Sequence, residues 1–207
     1  MKSLRTRLRA WIITTLTLCL MSLNTTQAQT SSESGPLVKL ETNFGSITIK
    51  LFPEDAPITV ANFLSYVDSG HYDGTVFHRV IPNFMIQGGG FDSDYVEKST
   101  EDPIVNESKN RLHNIRGTIA MARTGEPDSA AAQFFINQRS NLRLDWAPGK
   151  PGYTVFGEVI DGMTVVDFIA TAETGQALVT TSRGQARFPD VPVDKVILKR
   201  ATRVEMP

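Results

Sequence analysis

Phe77-His78-Arg79-Val80-Ile81-Pro82-Asn83-Phe84-Met85-Ile86-Gln87-Gly88-Gly89 is the stretch on which the reading of this chain turns. It gives two strand candidates, Thr75 to Val80 and Phe84 to Gln87, broken by Pro82-Asn83. A guanidinium (Arg79), an aromatic ring (Phe84), a thioether (Met85) and an amide (Gln87) thereby stand beside one backbone turn. On the N-terminal side, Leu37 to Thr42 and Ser46 to Leu51 alternate apolar with polar residues around Asn43-Phe44-Gly45, a hairpin signal. Pro57 then opens a helix whose stripe Val60, Phe63, Leu64 and Val67 faces a core, and Gly70 closes it. On the C-terminal side, strands are expected at Thr118 to Ala122, Gln133 to Ile136, Thr154 to Glu158 and Lys195 to Val204. A second helix is expected over Gly162 to Ala170, burying Val165, Phe168 and Ile169. Thr171 to Pro189 reads as a long polar loop, and the chain contains no internal repeat. Seven or eight strands with two helices predict a mainly β fold, a closed barrel with helical plugs.

The 207 residues, 41% of them apolar, suffice for one globular domain with a sizeable core. The beginning differs from the rest. Lys2, Arg5, Arg7 and Arg9 precede an apolar run from Ala10 to Leu23 and a polar segment ending Thr26-Gln27-Ala28, the pattern of a secretory signal peptide cut after Ala28. That run falls short of the ~20 residues of a membrane span, although an uncleaved anchor is the alternative. The expected organisation is a signal peptide over 1–28, a flexible lead-in over 29–36 and one domain over 37–207, located in the periplasm with no membrane association after cleavage. Cleavage removes four of 21 basic residues and none of 22 acidic ones, leaving a formal balance of −5, which disfavours nucleic acid. Cys19, the single cysteine, goes with the leader, so packing alone must stabilise the mature chain.

Three segments carry a family resemblance: the stretch around Arg79, then Gly117-Thr118-Ile119-Ala120-Met121-Ala122-Arg123, then Ala132-Gln133-Phe134-Phe135-Ile136-Asn137. Together, and in this order, they resemble the cyclophilin family of peptidyl-prolyl isomerases, in its bacterial secreted branch, over about Leu37 to Val204. The resemblance implies a closed eight-stranded antiparallel β-barrel capped by two α-helices, and rotation about X-Pro bonds in unfolded or extended proline-containing polypeptides, by a monomer that assists folding of envelope proteins. It assigns the socket for the proline ring to Phe84, Met85, Phe135 and Leu144, with Tyr153 near the position where many relatives carry histidine. It pairs the backbone of Ala122 and Arg123 with the extended substrate. Arg123 stands where relatives often carry asparagine, and is expected to shift preference toward acidic flanking residues. Eukaryotic members have a tryptophan ahead of Leu-Asp where this chain has Arg143-Leu144-Asp145, so cyclosporin is expected to bind weakly. Trp146 would compensate in part if its loop folded back.

The residue chemistry agrees with that assignment. Isomerisation breaks no covalent bond and needs no cofactor or metal; it must lower an amide rotation barrier of about 18–20 kcal/mol. Halfway through rotation the proline nitrogen regains its lone pair, and a rigid, permanently charged guanidinium such as Arg79 favours that twisted state. Gln87 and Gln133 can donate and accept at once, to hold the carbonyl before proline or the arginine itself. His71, His78 and His113 lack metal-ligand spacing. Gly88-Gly89-Gly90 lacks a phosphate-loop pattern and fits a strand exit. The alternative from another class is a non-catalytic proline-peptide binding module or holdase using the same groove.

Overall fold

A computed structural model describes residues 35–204 of the chain. The predicted leader and most of the lead-in lie outside the described residues. Strands β1 (Leu37–Thr42) and β2 (Gly45–Leu51) form the expected hairpin. Their alternation sends Val38, Leu40, Ile47, Ile49 and Leu51 to one fully buried face. Gly45 at φ 135° makes the tight return possible. Helix α1 (Pro57–Asp68) buries the stripe read from its sequence. Phe63 from that stripe meets Tyr72, Phe134 and Phe156 at ring-centroid distances of 5.2, 5.6 and 5.1 Å. No residue of α1 caps its own N-terminus. Glu107 does so from across the fold, accepting the amides of Ile58 at 3.1 Å and Thr59 at 2.8 Å.

The expected strand Thr75 to Val80 is two strands. β3 (Thr75–Val76) and β4 (Arg79–Ile81) are separated by Phe77-His78 and sit at opposite ends of the sheet. The reason is that Thr75, Val76, Phe77 and His78 are all buried, which a half-exposed strand with its alternating period cannot achieve. The remaining strands are β5 (Met85–Gly88), β6 (Thr118–Met121), β7 (Phe134–Asn137), β8 (Val155–Asp161) and, at the C-terminus, Ile197–Val204. Counting that last strand as β11, the main sheet has nine strands in the order β3-β11-β1-β2-β8-β6-β7-β5-β4. All its pairings are antiparallel. Because the two end strands are joined by only two residues, the sheet must curl until its edges nearly meet. It is closed there by the chain, with β3 and β4 not hydrogen-bonded to each other, where a fully closed barrel of eight strands was expected.

Two further expectations change. Helix α2 (Met163–Ala170) buries Val166, Ile169 and Ala170, whereas Phe168 is 59% exposed and meets Phe44 in a tilted contact. The sequence Val165-Val166-Asp167-Phe168-Ile169-Ala170 contains two apolar stripes offset by one residue, and only packing against the sheet selects between them. The polar stretch after α2 is no loop: β9 (Thr174–Thr181) and β10 (Gly184–Pro192) pair as a separate two-stranded sheet. Most of its side chains are exposed. Val179 and Phe188 fasten it to Val76 and Phe91 in a small apolar cluster of their own.

Candidate functional site

The β4–β5 hairpin places Arg79 directly across from Gln87 and Ile81 across from Met85. Asn83, at φ 57°, supplies the left-handed turn residue between them. Further pairing sets Gln87 opposite Phe135, Phe135 opposite Ala120, and Ala120 opposite Val155. One row therefore crosses five strands from Arg79 to Val155. Its neighbours by one residue, Val80, Ile86, Ile136 and Ile119, point the other way into the main core. On the row's own face Met85, Ala120, Phe135 and Val155 form a second apolar cluster, with Phe84, Ala122, Leu144 and Tyr153 packed against it.

That face carries a pocket of about 120 Å³ lined by Arg79, Phe84, Met85, Gln87, Ala122, Arg123, Phe135, Leu144 and Tyr153. Nine of the ten side chains singled out from the sequence thus converge. The tenth, Gln133, stands behind them: the Gln87 amide donates to its carbonyl at 3.0 Å, while Arg79 Nη1 donates a long 3.5 Å bond to the Gln87 carbonyl. The three form a relay that fixes the guanidinium's direction. Gly90 makes room for it, since a Cβ there would lie 2.5 Å from the Gln133 side chain. Met85 and Phe135 are 2% and 4% exposed, so the floor is dry, and Phe135 meets Tyr153 edge-on at 5.7 Å.

The Arg123 side chain, expected to favour acidic flanking residues, is engaged by the protein's own carbonyls. Its Nε donates to the Gly152 carbonyl at 3.1 Å, Nη2 to Pro151 at 2.8 Å and Nη1 to Thr124 at 2.9 Å, and the guanidinium carbon lies 4.5 Å from the Tyr153 ring centroid. These donors are spent on holding the Pro151-Gly152-Tyr153 wall. Arg143 stacks on Phe84 at 5.1 Å, and Trp146 is 39% exposed beside Lys109 and does not line the pocket.

Sequence reasoning missed the polar frame of the site. Asn137, fully buried, donates to Thr118 Oγ1 at 3.0 Å and accepts from Asn141 at 2.7 Å; Asn141 also donates to the Phe84 carbonyl at 2.9 Å. Asn114 donates through its backbone and side chain to Asp145 at 2.8 and 3.0 Å, and His113 meets the other oxygen at 2.8 Å. Burial alone would raise the Asp145 carboxyl, but these donors hold it below the usual carboxylate range. The network fixes the short 3-10 turn Leu142–Leu144 against the pocket. The one signal for it was an asparagine ending the apolar run Phe134-Phe135-Ile136-Asn137. Behind Arg79, His78 is buried against Phe91 and Phe188 with Nδ1 unpartnered. Burial pushes it down to about 4, aided by the Arg79 charge and opposed by a hydrogen bond with the Val76 backbone. Among the described residues no group of histidine, cysteine, aspartate and glutamate is arranged to hold a metal.

This geometry defines an apolar, ring-sized socket edged by an oriented guanidinium. Residues 37–201 match the family described as cyclophilin type peptidyl-prolyl cis-trans isomerase. A peptidyl-prolyl cis-trans isomerase of Acinetobacter baylyi is 56% identical over 138 residues, 67% of this chain and 73% of the relative. Peptidyl-prolyl cis-trans isomerase B of Escherichia coli is 48% identical over 169 residues, covering 80% of this chain and 98% of the relative. A cyclophilin type peptidyl-prolyl cis-trans isomerase of Cryptosporidium parvum, solved in the presence of the dipeptide Ala-Pro, superposes with a TM-score of 0.67 at 26% identity, covering 82% of this chain and 99% of that one. The chain belongs to the cyclophilin type peptidyl-prolyl cis-trans isomerase family, and the reaction of that family is rotation about X-Pro bonds.

Proposed function

We propose that Arg79 is the catalytic group of a proline isomerase that acts on extended X-Pro segments of envelope proteins in the periplasm. The observation that carries this is the ladder from Arg79 through Gln87 to Phe135: it sets the cation at the edge of a part of the row where buried apolar side chains line a pocket. The proline ring sits over Met85 and Phe135, between Phe84, Leu144 and Tyr153, and the backbone of Ala122 and Arg123 lies alongside the peptide. The neighbour crystallised with Ala-Pro supports a dipeptide-sized socket in this fold.

As the carbonyl before proline turns, conjugation is lost and the nitrogen becomes pyramidal. A guanidinium held by Gln87, itself held by Gln133, donates to that nitrogen without having to reorganise. One charge-assisted hydrogen bond supplies about 1.5–3 kcal/mol net. A rate gain at the low end for enzymes needs about 8 kcal/mol, so the dry floor and the immobilised ring must supply the larger share. The holdase alternative uses the same socket but leaves the Arg79 relay without a purpose.

Turnover of a proline tetrapeptide in a protease-coupled assay tests the reading. Wild type no faster than buffer would sink the enzyme; Arg79→Ala retaining full turnover would sink the assigned role. The location rests on the basic and apolar pattern of residues 1–28, and cell fractionation with mass measurement of the mature N-terminus, expected at Gln29, tests it. Cyclosporin binds weakly on this reading, because Arg143 stands where the eukaryotic tryptophan supports the drug.

A further inference from the structure

We infer that Arg143 makes this enzyme select prolines flanked by an acidic residue; the inference rests on the isomerase reading of the pocket. Arg143 is exposed on the turn whose next residue, Leu144, lines the pocket, and its guanidinium carbon lies 5.1 Å from the centroid of the Phe84 ring that forms another wall. Stacking on a fixed aromatic ring holds a long side chain at the rim with little further loss of rotamer freedom. The turn is itself anchored, since Asn141 donates to the Phe84 carbonyl at 2.9 Å and Leu144 N–H to the Asn141 carbonyl at 2.8 Å.

The Arg143 charge meets no counter-ion among the described residues. The adjacent carboxylate, Asp145, is occupied by both nitrogens of Asn114 and by His113. Arg123, another cation at the rim, has given its donors to four backbone carbonyls. The pocket lining contains two arginines and no carboxylate. A positive rim on a chain with 22 acidic against 21 basic residues is a local field, and it favours an anion on the peptide next to the ring that the socket holds. Arg143 is thus a specificity group for the flanking residue: it leaves the rotating bond to Arg79 and adds a carboxylate partner for aspartate or glutamate immediately before or after proline.

The test is isomerisation measured by NMR exchange, without a coupling protease, on Ala-X-Pro-Ala and Ala-Ala-Pro-X peptides with X as Glu, Ala or Lys. In wild type, kcat/KM for the Glu peptide of at least one series exceeds that for its Lys counterpart by about three- to tenfold, the scale of an exposed ion pair and its repulsive converse. The ratio collapses toward one near 1 M salt, where the screening length is about 3 Å. Arg143→Gln lowers the Glu-to-Lys ratio, Arg143→Lys retains part of it, and Arg143→Glu inverts it. A ratio near one in wild type on both series overturns the inference while turnover of the Ala peptide leaves the isomerase reading standing. A ratio unchanged in Arg143→Glu overturns it equally. If no peptide turns over, calorimetric titration of the same peptides reads the preference through binding: tighter Glu peptides that lose the advantage in Arg143→Glu support it, and equal affinities refute it.

Discussion

His78 makes stability depend on pH in a way that can be worked out in advance. Its imidazole is buried between Phe91 and Phe188, with Nδ1 unpartnered, and burial depresses its pKa from 6.5 to about 4. In the unfolded chain it titrates normally. Between those two values the unfolded state binds a proton that the folded state refuses, so stability falls as pH drops through 6.5 and levels off below 4. At ~1.4 kcal/mol per unit, acidification from pH 7.5 to 4.5 removes roughly 2–3 kcal/mol through this one ring. With a urea slope of about 2 kcal/mol per molar, that moves the unfolding midpoint by about 1 M. The comparison is wild type against His78→Phe, unfolded by urea across that range. The phenyl ring brings its own packing change, but this is constant with pH and drops out of the difference between the two curves. His71, also lowered by burial, contributes equally to both proteins. Since Phe188 belongs to the β9–β10 hairpin, its amides should be the first to lose hydrogen-exchange protection in acid. Parallel pH profiles for the two proteins would refute the account of His78 as a buried neutral ring.

Gly90→Ala pushes a Cβ to within 2.5 Å of Gln133 and breaks the 3.0 Å bond to Gln87; kcat/KM should fall about fivefold, one neutral hydrogen bond's worth, and Gln133→Leu should reproduce it, as NMR exchange assays will read. Asn137→Leu strands a side-chain donor of Asn141 and the side-chain carbonyl of Asn114 in the buried frame, and denaturant unfolding should record a loss of about 1–3 kcal/mol. Glu107→Ala uncaps α1 by removing the acceptor for two backbone amides and the Thr59 hydroxyl, a cost of about 1–2 kcal/mol in the same measurement, with kcat/KM little changed.

The β1–β2 hairpin, α1 and the Arg79-to-Gln87 segment were legible because their periodicity admits one solution: alternation around a Gly turn, an apolar stripe opened by Pro57, a break at Pro82-Asn83. The candidate site was legible for a different cause. Several of its residues lie in short motifs, so the local register of β4, β5 and β7 brings Arg79, Met85, Gln87 and Phe135 to one face. Where the sequence permits two solutions, the fold chooses. The two offset stripes of α2 are separated only by what the sheet offers to cover. The polar hairpin β9–β10 has too few buried residues to announce itself, and forms because Val179 and Phe188 find Val76 and Phe91. The engaged state of Arg123 and the free state of Arg143 are beyond any one-dimensional reading, because both depend on carbonyls and rings that come near only after folding. Residue types and their spacing determine which groups can line a socket; which charges remain unspent at its rim is a property of the closed structure, where each donor has already met its nearest acceptor.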